Sequence, residues 1–371
     1  MWAVSDAWDD ALRTTYKAVC RGEVWRDNVK VSDLDVVGGQ VQVSEGRDVR
    51  RSLTLSFSAR EWAAGDLWSL LSPDDTDIRV WAGQQRVDGS EEYVPVGWFR
   101  VSRPSRPSRW AAAQVEADDY ASVIKRARFV RPWVTAAGAG VVAEITAIIH
   151  DVDPSIEVVD ATGQYPARTT GAATEDTDRW GRIQALAKSI GCEAAFDPIR
   201  RFVIRPTPEV DPTADPDWIV DADDDRAVLL DYSLGADDPG YNAVVASSSA
   251  GGDAAPVSAI AYASTWRAGV KNPRFYASPL LDTVAKCLAA ARSILLRSRA
   301  FARILTPSAP PNYALDSGDQ IRIVLPADER LTEDRIVTGF SFDLGVPSGP
   351  SPIETRTTVD ISETLDVGEL S

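Results

Sequence analysis

Leu53-Thr54-Leu55-Ser56-Phe57 sets apolar side chains on one face and hydroxyls on the other, the period of two that a half-buried β-strand requires. The signature recurs on both sides of it. Glu23-Val24-Trp25-Arg26, Lys30-Val31, Val41-Gln42-Val43, Ile78-Arg79-Val80-Trp81, Trp98-Phe99-Arg100-Val101 and Gln114-Val115-Glu116 are short runs of the same kind, set apart by Gly, Asp and Pro. Strands at that spacing predict a β-barrel or sandwich over residues 19–130. Upstream, Trp8, Leu12 and Tyr16 recur at helical spacing among Asp9, Asp10 and Arg13, which predicts a helical segment over 1–18.

Downstream the texture changes. Asp118-Asp119 opens and Lys125-Arg126 with Arg128 closes a helix whose ends suit the dipole. Val141, Val142, Ile145, Ile148 and Ile149 mark a second helix, stopped before Asp153-Pro154. Trp180, Ile183, Leu186, Ala187 and Ile190 mark a third, with Gly191 as its C-terminal cap. A hairpin from Glu193 to Phe196 and Arg201 to Arg205, turned at Asp197-Pro198, completes an α/β domain over 131–209. Pro206, Pro208, Pro212 and Pro216 among acidic residues make 210–217 a linker. Beyond it, Asn242–Ala246, Ser258–Tyr262, Gln320–Leu325, Arg335–Phe342 and Thr357–Ile361 read as strands of a second barrel over 218–266 and 305–371. A helical insertion, 267–304, opens at Ser278-Pro279 and runs to about Arg303. The fold class is therefore mainly β with α+β elements: two β-barrel-like domains flanking an α/β domain, with a helical insertion in the second barrel.

The 371 residues carry 39 Lys and Arg against 55 Asp and Glu, a formal charge of −16. Gripping a phosphate backbone takes a basic stripe, so this balance argues against nucleic-acid binding and against an anionic membrane surface. Much of the acidity is local: residues 209–238 hold 11 acidic side chains and one basic, and 326–371 hold 10 and 3. No run reaches the roughly 18 apolar residues of a membrane span. Met1-Trp2-Ala3-Val4-Ser5-Asp6 lacks the pattern of a signal peptide, which predicts a soluble protein made in the cytoplasm.

Catalytic chemistry finds little to work with. Cys20, Cys192 and Cys287 are far apart and odd in number, so they form neither a disulfide framework nor a metal knuckle. His150 stands alone and suits the end of a helix. No nucleophile elbow, Walker loop, zincin pair or dinucleotide fingerprint occurs. Asp221, Asp223, Asp224 and Asp225 lack the glycine and distal glutamate of a calcium loop and read as a solvated turn, as do Asp74, Asp75 and Asp77. The expectation is no catalytic residue, no cofactor and no metal.

Twelve tryptophans exceed what a core of this size needs, and eight of them (Trp2, Trp8, Trp25, Trp62, Trp68, Trp81, Trp98 and Trp110) lie in the first third. Trp8, Trp25 and Trp98, with the Arg50-Arg51 pair, are candidate interface residues. So are Arg292, Arg299 and Arg303, which share one face of the long helix. The rival function is a carbohydrate-binding or carbohydrate-active cell-wall protein, for which sequence places no two carboxylates across a cleft.

Four segments resemble the tail hub proteins (baseplate hub, or tail-tip minor tail proteins) of bacteriophages, of the kind found in phages of actinobacteria. They are Gly46-Arg47-Asp48-Val49-Arg50-Arg51-Ser52-Leu53-Thr54-Leu55-Ser56-Phe57; Ile78–Val101, through Val94-Pro95-Val96-Gly97-Trp98-Phe99-Arg100-Val101; Asp119–Phe129; and Leu315-Asp316-Ser317-Gly318-Asp319-Gln320-Ile321-Arg322-Ile323 followed by Ile336–Phe342. Their order and spacing carry the likeness across nearly the whole chain. The resemblance implies a virion structural protein without enzymatic activity, sited at the tail tip. It implies a homotrimer with two similar β-barrels per subunit, whose lumen passes DNA without specific binding. It also implies as partners the distal tail or tail tube protein, a tape-measure protein, and tip fibre or spike proteins.

Overall fold

A computed structural model describes residues 1–59, 62–108, 110–136, 138–163, 173–174, 177–222, 228–236, 241–249, 257–263, 271–299, 303–345, 349–357 and 361–364. The first third holds α1 (Asp6–Leu12), β1 (Lys17–Arg26), β2 (Val29–Leu34), β3 (Val36–Ser44), β4 (Arg51–Phe57), α2 (Ala64–Leu70), β5 (Thr76–Gln85), β6 (Glu91–Ser105) and β7 (Ala113–Asp119). Then come α3 (Ala121–Arg126), β8 (Trp133–Val134), α4 (Val141–His150), β9 (Val158–Asp160), β10 (Ala173–Thr174), α5 (Arg179–Ser189), β11 (Cys192–Phe196) and β12 (Phe202–Pro206). The rest is β13 (Trp218–Asp221), β14 (Asp231–Ala236), β15 (Ala243–Ser248), β16 (Ser258–Ala263), β17 (Pro273–Ser278), α6 (Val284–Arg299), β18 (Arg303–Ala309), β19 (Gln320–Val324), β20 (Thr332–Leu344), β21 (Ser351–Arg356) and β22 (Ile361–Thr364). The chain is mainly β, with short helices set among the strands.

Local chemistry accounts for much of this. Asp27 and Asn28, at φ 49° and 61°, form the left-handed two-residue turn that joins β1 to β2, a conformation Asp and Asn tolerate better than other side chains. Gly191, at φ 72°, ends α5 as its spacing predicts. The first helix stops at Leu12 and does not continue to 18, because Lys17–Cys20 extend the ladder with β5. Ser278 is the last residue of β17, paired with Ser248, and does not cap the long helix. The helix starts at Val284 instead, where the Thr283 hydroxyl accepts the Lys286 amide at 3.3 Å.

The large sheet runs β14-β18-β21-β20-β3-β4-β7-β6-β5-β1-β2, with β19 on β20 and β13 on β19. It contains a repeat. The order β3-β4-β7-β6-β5-β1 in the first third matches β14-β18-β21-β20-β19-β13 in the last. Arg100 opposes Asp77 as Ile336 opposes Gln320, Val101 opposes Ala117 as Val337 opposes Thr355, and both long strands bulge at the next residue, Ser102 and Thr338. Val41 opposes Leu53 as Leu234 opposes Leu305. The pairing aligns Arg51-Ser52-Leu53-Thr54-Leu55-Ser56-Phe57 with Arg303-Ile304-Leu305-Thr306-Pro307-Ser308-Ala309. The repeats differ at one end, where β1 meets β5 antiparallel but β13 meets β19 parallel. They are joined by β20 and β3, paired from Gly339–Ser44 to Leu344–Gly39, so the two β regions are one sheet. Among the described residues no further pairing closes either repeat into a ring.

One apolar core runs through both repeats, from Val41, Leu53, Leu55 and Phe99 to Leu305, Ile321, Ile323 and Phe342. A second core packs α3, α4 and α5 against β11 and β12 through Ile124, Ile145, Ile148, Ile183, Leu186, Phe196 and Phe202. β15 and β16 lie outside the large sheet. With β17 and β22 they form a four-stranded sheet, and α6 covers one of its faces through Cys287, Ala290, Ala291 and Leu295 against Val244, Ala246, Ala259 and Ala261.

Candidate functional site

Arg50 and Arg51 sit where the chain enters β4, and both are buried. The Arg50 guanidinium donates to both carboxylate oxygens of Glu193 on β11, at 3.2 and 2.9 Å. Arg205 of β12 donates to the same carboxylate at 2.8 Å and Arg297 of α6 at 3.1 Å. Burial alone would raise the pKa of Glu193; the charges of Arg50 and Arg205 outweigh it and hold the carboxyl well below its ordinary range.

Arg51 ties in the remaining parts. Its side chain donates to the Phe196 carbonyl at 2.9 Å and to the Asp316 carboxylate, and its amide donates to Asp119 at 2.9 Å. Asp119 also accepts the Ala121 amide at 2.9 Å; burial pushes its pKa up to about 6 against the lowering by Arg51. Past Asp316, Arg205 donates to the Ser317 carbonyl at 2.7 Å. Gly318 follows at φ 94°, where an added Cβ would lie 2.4 Å from the Arg205 guanidinium. Asp319 accepts the Asp316 amide at 2.6 Å and the Met1 ammonium at 2.5 Å; burial raises it to about 6, opposed by that ammonium. Beside this network Glu45 accepts from Arg356 at 2.9 Å.

Three segments quoted above for the resemblance thus meet at one junction: Arg50-Arg51, Asp119, and the turn Asp316-Ser317-Gly318-Asp319. Glu193, Arg205 and Arg297 belong to none of them. Their legible sign was Glu193 itself, a carboxylate inside the apolar strand Cys192-Glu193-Ala194-Ala195-Phe196. The junction holds position. Its guanidiniums stay charged, Glu193 stays ionised, and the cavity of about 50 Å³ lined by Arg50, Arg51, Arg205 and Asp316 has room for about one or two waters.

The other candidates are placed differently. Trp8 is fully buried, its Nε1 donating to Asn312 at 3.0 Å, which makes it core and removes it from any exposed interface. Arg50 and Arg51 are likewise internal, for the reason just given. Trp25 and Trp98 are half-buried, 5.3 Å apart, in a ladder of rings and cations: Arg79 lies over Trp81, Trp98 and Trp25, and Arg200 over Trp98 and Tyr120. Arg292 is partly exposed and reaches Glu209 at 3.0 Å. The side chains of Arg299 and Arg303 lie outside the described residues, as do Asp223, Asp224 and Asp225. Trp110 and Trp68 are 82% and 48% exposed. Asp77 is buried against Arg100 at 2.5 Å, and His150 meets the Ile156 carbonyl at 3.0 Å. Among the described residues no group of three or more His, Cys, Asp or Glu side chains is arranged to hold a metal ion, and no helix is long and apolar enough to cross a membrane.

No protein-family model and no curated protein matches this sequence. Solved structures do. The tail protein from Neisseria meningitidis superposes with a TM-score of 0.66 at 14% identity, over 91% of this chain and 96% of that one. The 43 kDa tail protein of prophage MuSo2 from Shewanella oneidensis gives 0.58 at 12%, over 91% and 98%. The prophage tail protein gp18 from Listeria monocytogenes gives 0.55 at 9%, over 92% and 95%. At these identities the likeness is one of fold.

Proposed function

We propose that the chain is the hub of a bacteriophage tail tip, a structural virion protein that assembles as a homotrimer and gates the lumen through which DNA leaves. The observation that carries this reading is the fold, shared over more than nine-tenths of the chain with proteins named as tail proteins. The internal repeat adds to it. Three subunits with two equivalent β units apiece would offer six similar surfaces to a sixfold tube. In this arrangement the repeat within 19–130 and the repeat made by β13, β14, β18, β19, β20 and β21 build the ring. The α/β unit and the helical insertion decorate it or close its lumen.

The partners on this reading are the distal tail or tail tube protein, a tape-measure protein, and tip fibres or a spike. The actinobacterial-phage type belongs to the same proposal and rests on the four sequence segments. The role is assembly, with no bond chemistry. The junction around Glu193 would keep the α/β unit, the helical insertion and both repeats in fixed relation while load passes through them. The rival carbohydrate reading loses Trp25 and Trp98, whose faces are taken by Arg79 and Arg200, and keeps Trp68 and Trp110 as the exposed tryptophans among the described residues. Electron microscopy of the purified chain tests the proposal: threefold rings are expected. A strictly monomeric species at high concentration, or turnover of a polysaccharide, would overturn it.

A further inference from the structure

The two repeats place Val41 and Leu234 identically. Each lies opposite a core leucine, Leu53 or Leu305, and directly opposed residues share a face of the sheet. Leu53 and Leu305 are buried, and so is Val41, but Leu234 is 56% exposed and Leu230 just before β14 is 55% exposed. The difference lies on the other side of the strand. The outer edge of β3 is covered by β20, which sets Phe342 opposite Val41. β14 pairs with β18 alone and leaves its outer edge open among the described residues.

The repeat identifies what would cover it. β20 and β6 are equivalent, and the part of β20 that holds β3 begins at the bulge, after Thr338. The matching part of β6, Arg103–Ser105, pairs with β7 on one side and with nothing on the other among the described residues. Within one chain the open end of β6 belongs to the first repeat and the open edge of β14 to the second. Among the described residues no strand of the same chain completes β14, and the segment equivalent to the one that covers β3 is offered by another copy.

Resting on the reading of the chain as ring-forming, we infer that β14 of one subunit docks against the end of β6 of the next, repeating between copies the joint that β3 and β20 make within each. Carrying the register across places Pro104 opposite Ala236 and Ser105 opposite Gly235, as Phe340 opposes Val43 and Ser341 opposes Gln42. Pro104 has no amide proton to donate, and Arg106 takes the place of Phe342 opposite Leu234, so the seam rests more on the alkyl stem of Arg106 covering that leucine than on a ladder of backbone bonds. The contact is head-to-tail, and such contacts close into a ring when the rotation permits.

The test uses the full chain with Ser105→Cys and Gly235→Cys combined. Directly opposed residues in an antiparallel pair lie within disulfide reach, and a Cβ at Gly235 meets only Ile304, at 3.8 Å. Mild oxidation should give covalent dimers and trimers on a non-reducing gel, with neither single variant doing so. In parallel, Leu234→Arg should weaken self-association in sedimentation by about tenfold or more, since the same register sets Arg106 opposite it and like charges would meet. The melting midpoint of the monomer should not move. Rings that form without the cross-link and are indifferent to Leu234→Arg would overturn this joint and leave the hub reading intact. A chain that never self-associates would overturn both.

Discussion

The two β repeats share strand order, register and even the position of a bulge, yet the side chains at matched places have different fates. Val41 is core and Leu234 is exposed; Gly318 turns in the left-handed region, whereas its counterpart Asp75 does not. Asp119 is a buried carboxylate, and its counterpart Thr357 carries no charge. A strand's period decides which way its side chains point. What they meet belongs to the neighbour, and the repeats differ chiefly in their neighbours: the first is flanked by the second and by the α/β unit, while β14 ends the sheet.

The largest test of that contrast is at the junction. Glu193→Gln would leave Arg50, Arg205 and Arg297 without their shared carboxylate and should cost about 3–5 kcal/mol in denaturant unfolding, because a buried charge stripped of its partner keeps its desolvation penalty. Both repeats should loosen together. A loss confined to one set of probes would show that they are not held as a unit.

Acidity acts on a buried carboxylate in each repeat, Asp119 in the first and Asp319 in the second. Asp119 holds its proton more tightly folded than unfolded, so its contribution is present below its ordinary value of 3.8 and is lost as pH rises through about 6. The effect amounts to roughly 3 kcal/mol. Stability should therefore fall between pH 4 and 6, and Asp119→Asn should remove only part of that slope, because Asp319 is raised to about 6 in the same sense. Glu193 acts in the opposite sense and in a lower window: its stabilisation is present above 4.5 and is lost in acid. An unchanged slope in the Asn variant would remove the first repeat's carboxylate as the cause.

Gly318→Ala is expected to cost about 1–3 kcal/mol, from a left-handed backbone and from crowding Arg205. Asp75→Ala should cost about 1 kcal/mol or less, since it loses an exposed pair with Arg26 and a long hydrogen bond from the Thr76 hydroxyl. The smallest contrast is Val41→Ala against Leu234→Ala: about 2 kcal/mol for the first by thermal unfolding of the monomer, and within about 0.5 kcal/mol for the second. Equal costs would mean that the edge of β14 is already covered within the chain.

Much of the fold was legible in residue order. The strands read from Val24-Trp25, Val41-Val43, Leu53-Phe57, Ile78-Trp81, Phe99-Val101 and Val115 all occur, as do α3, α4, α5 and the hairpin after Gly191. The repeat was also present in the letters, Arg51-Ser52-Leu53-Thr54 against Arg303-Ile304-Leu305-Thr306, but a match so short becomes convincing only when the pairing register aligns it. β14, β17 and β18 were not read as strands, because Ser, Gly and Pro interrupt their alternation and their neighbours supply the ladder.

The candidate site was the least legible part. Arg50 and Arg51 look like surface arginines in a polar stretch, and Trp8 sits on a short amphipathic helix open to either reading. Alternation, turn residues and caps act over a few positions, so the order of residues alone settles where strands and helices form and how the chain bends between them. Which strand lies beside which, and so which arginine is sealed against Glu193 from 143 positions away, depends on contacts between distant segments that many pairings could satisfy locally. Only the packed whole selects among them, because burying a charge is tolerable in the one arrangement that brings its counter-charge with it.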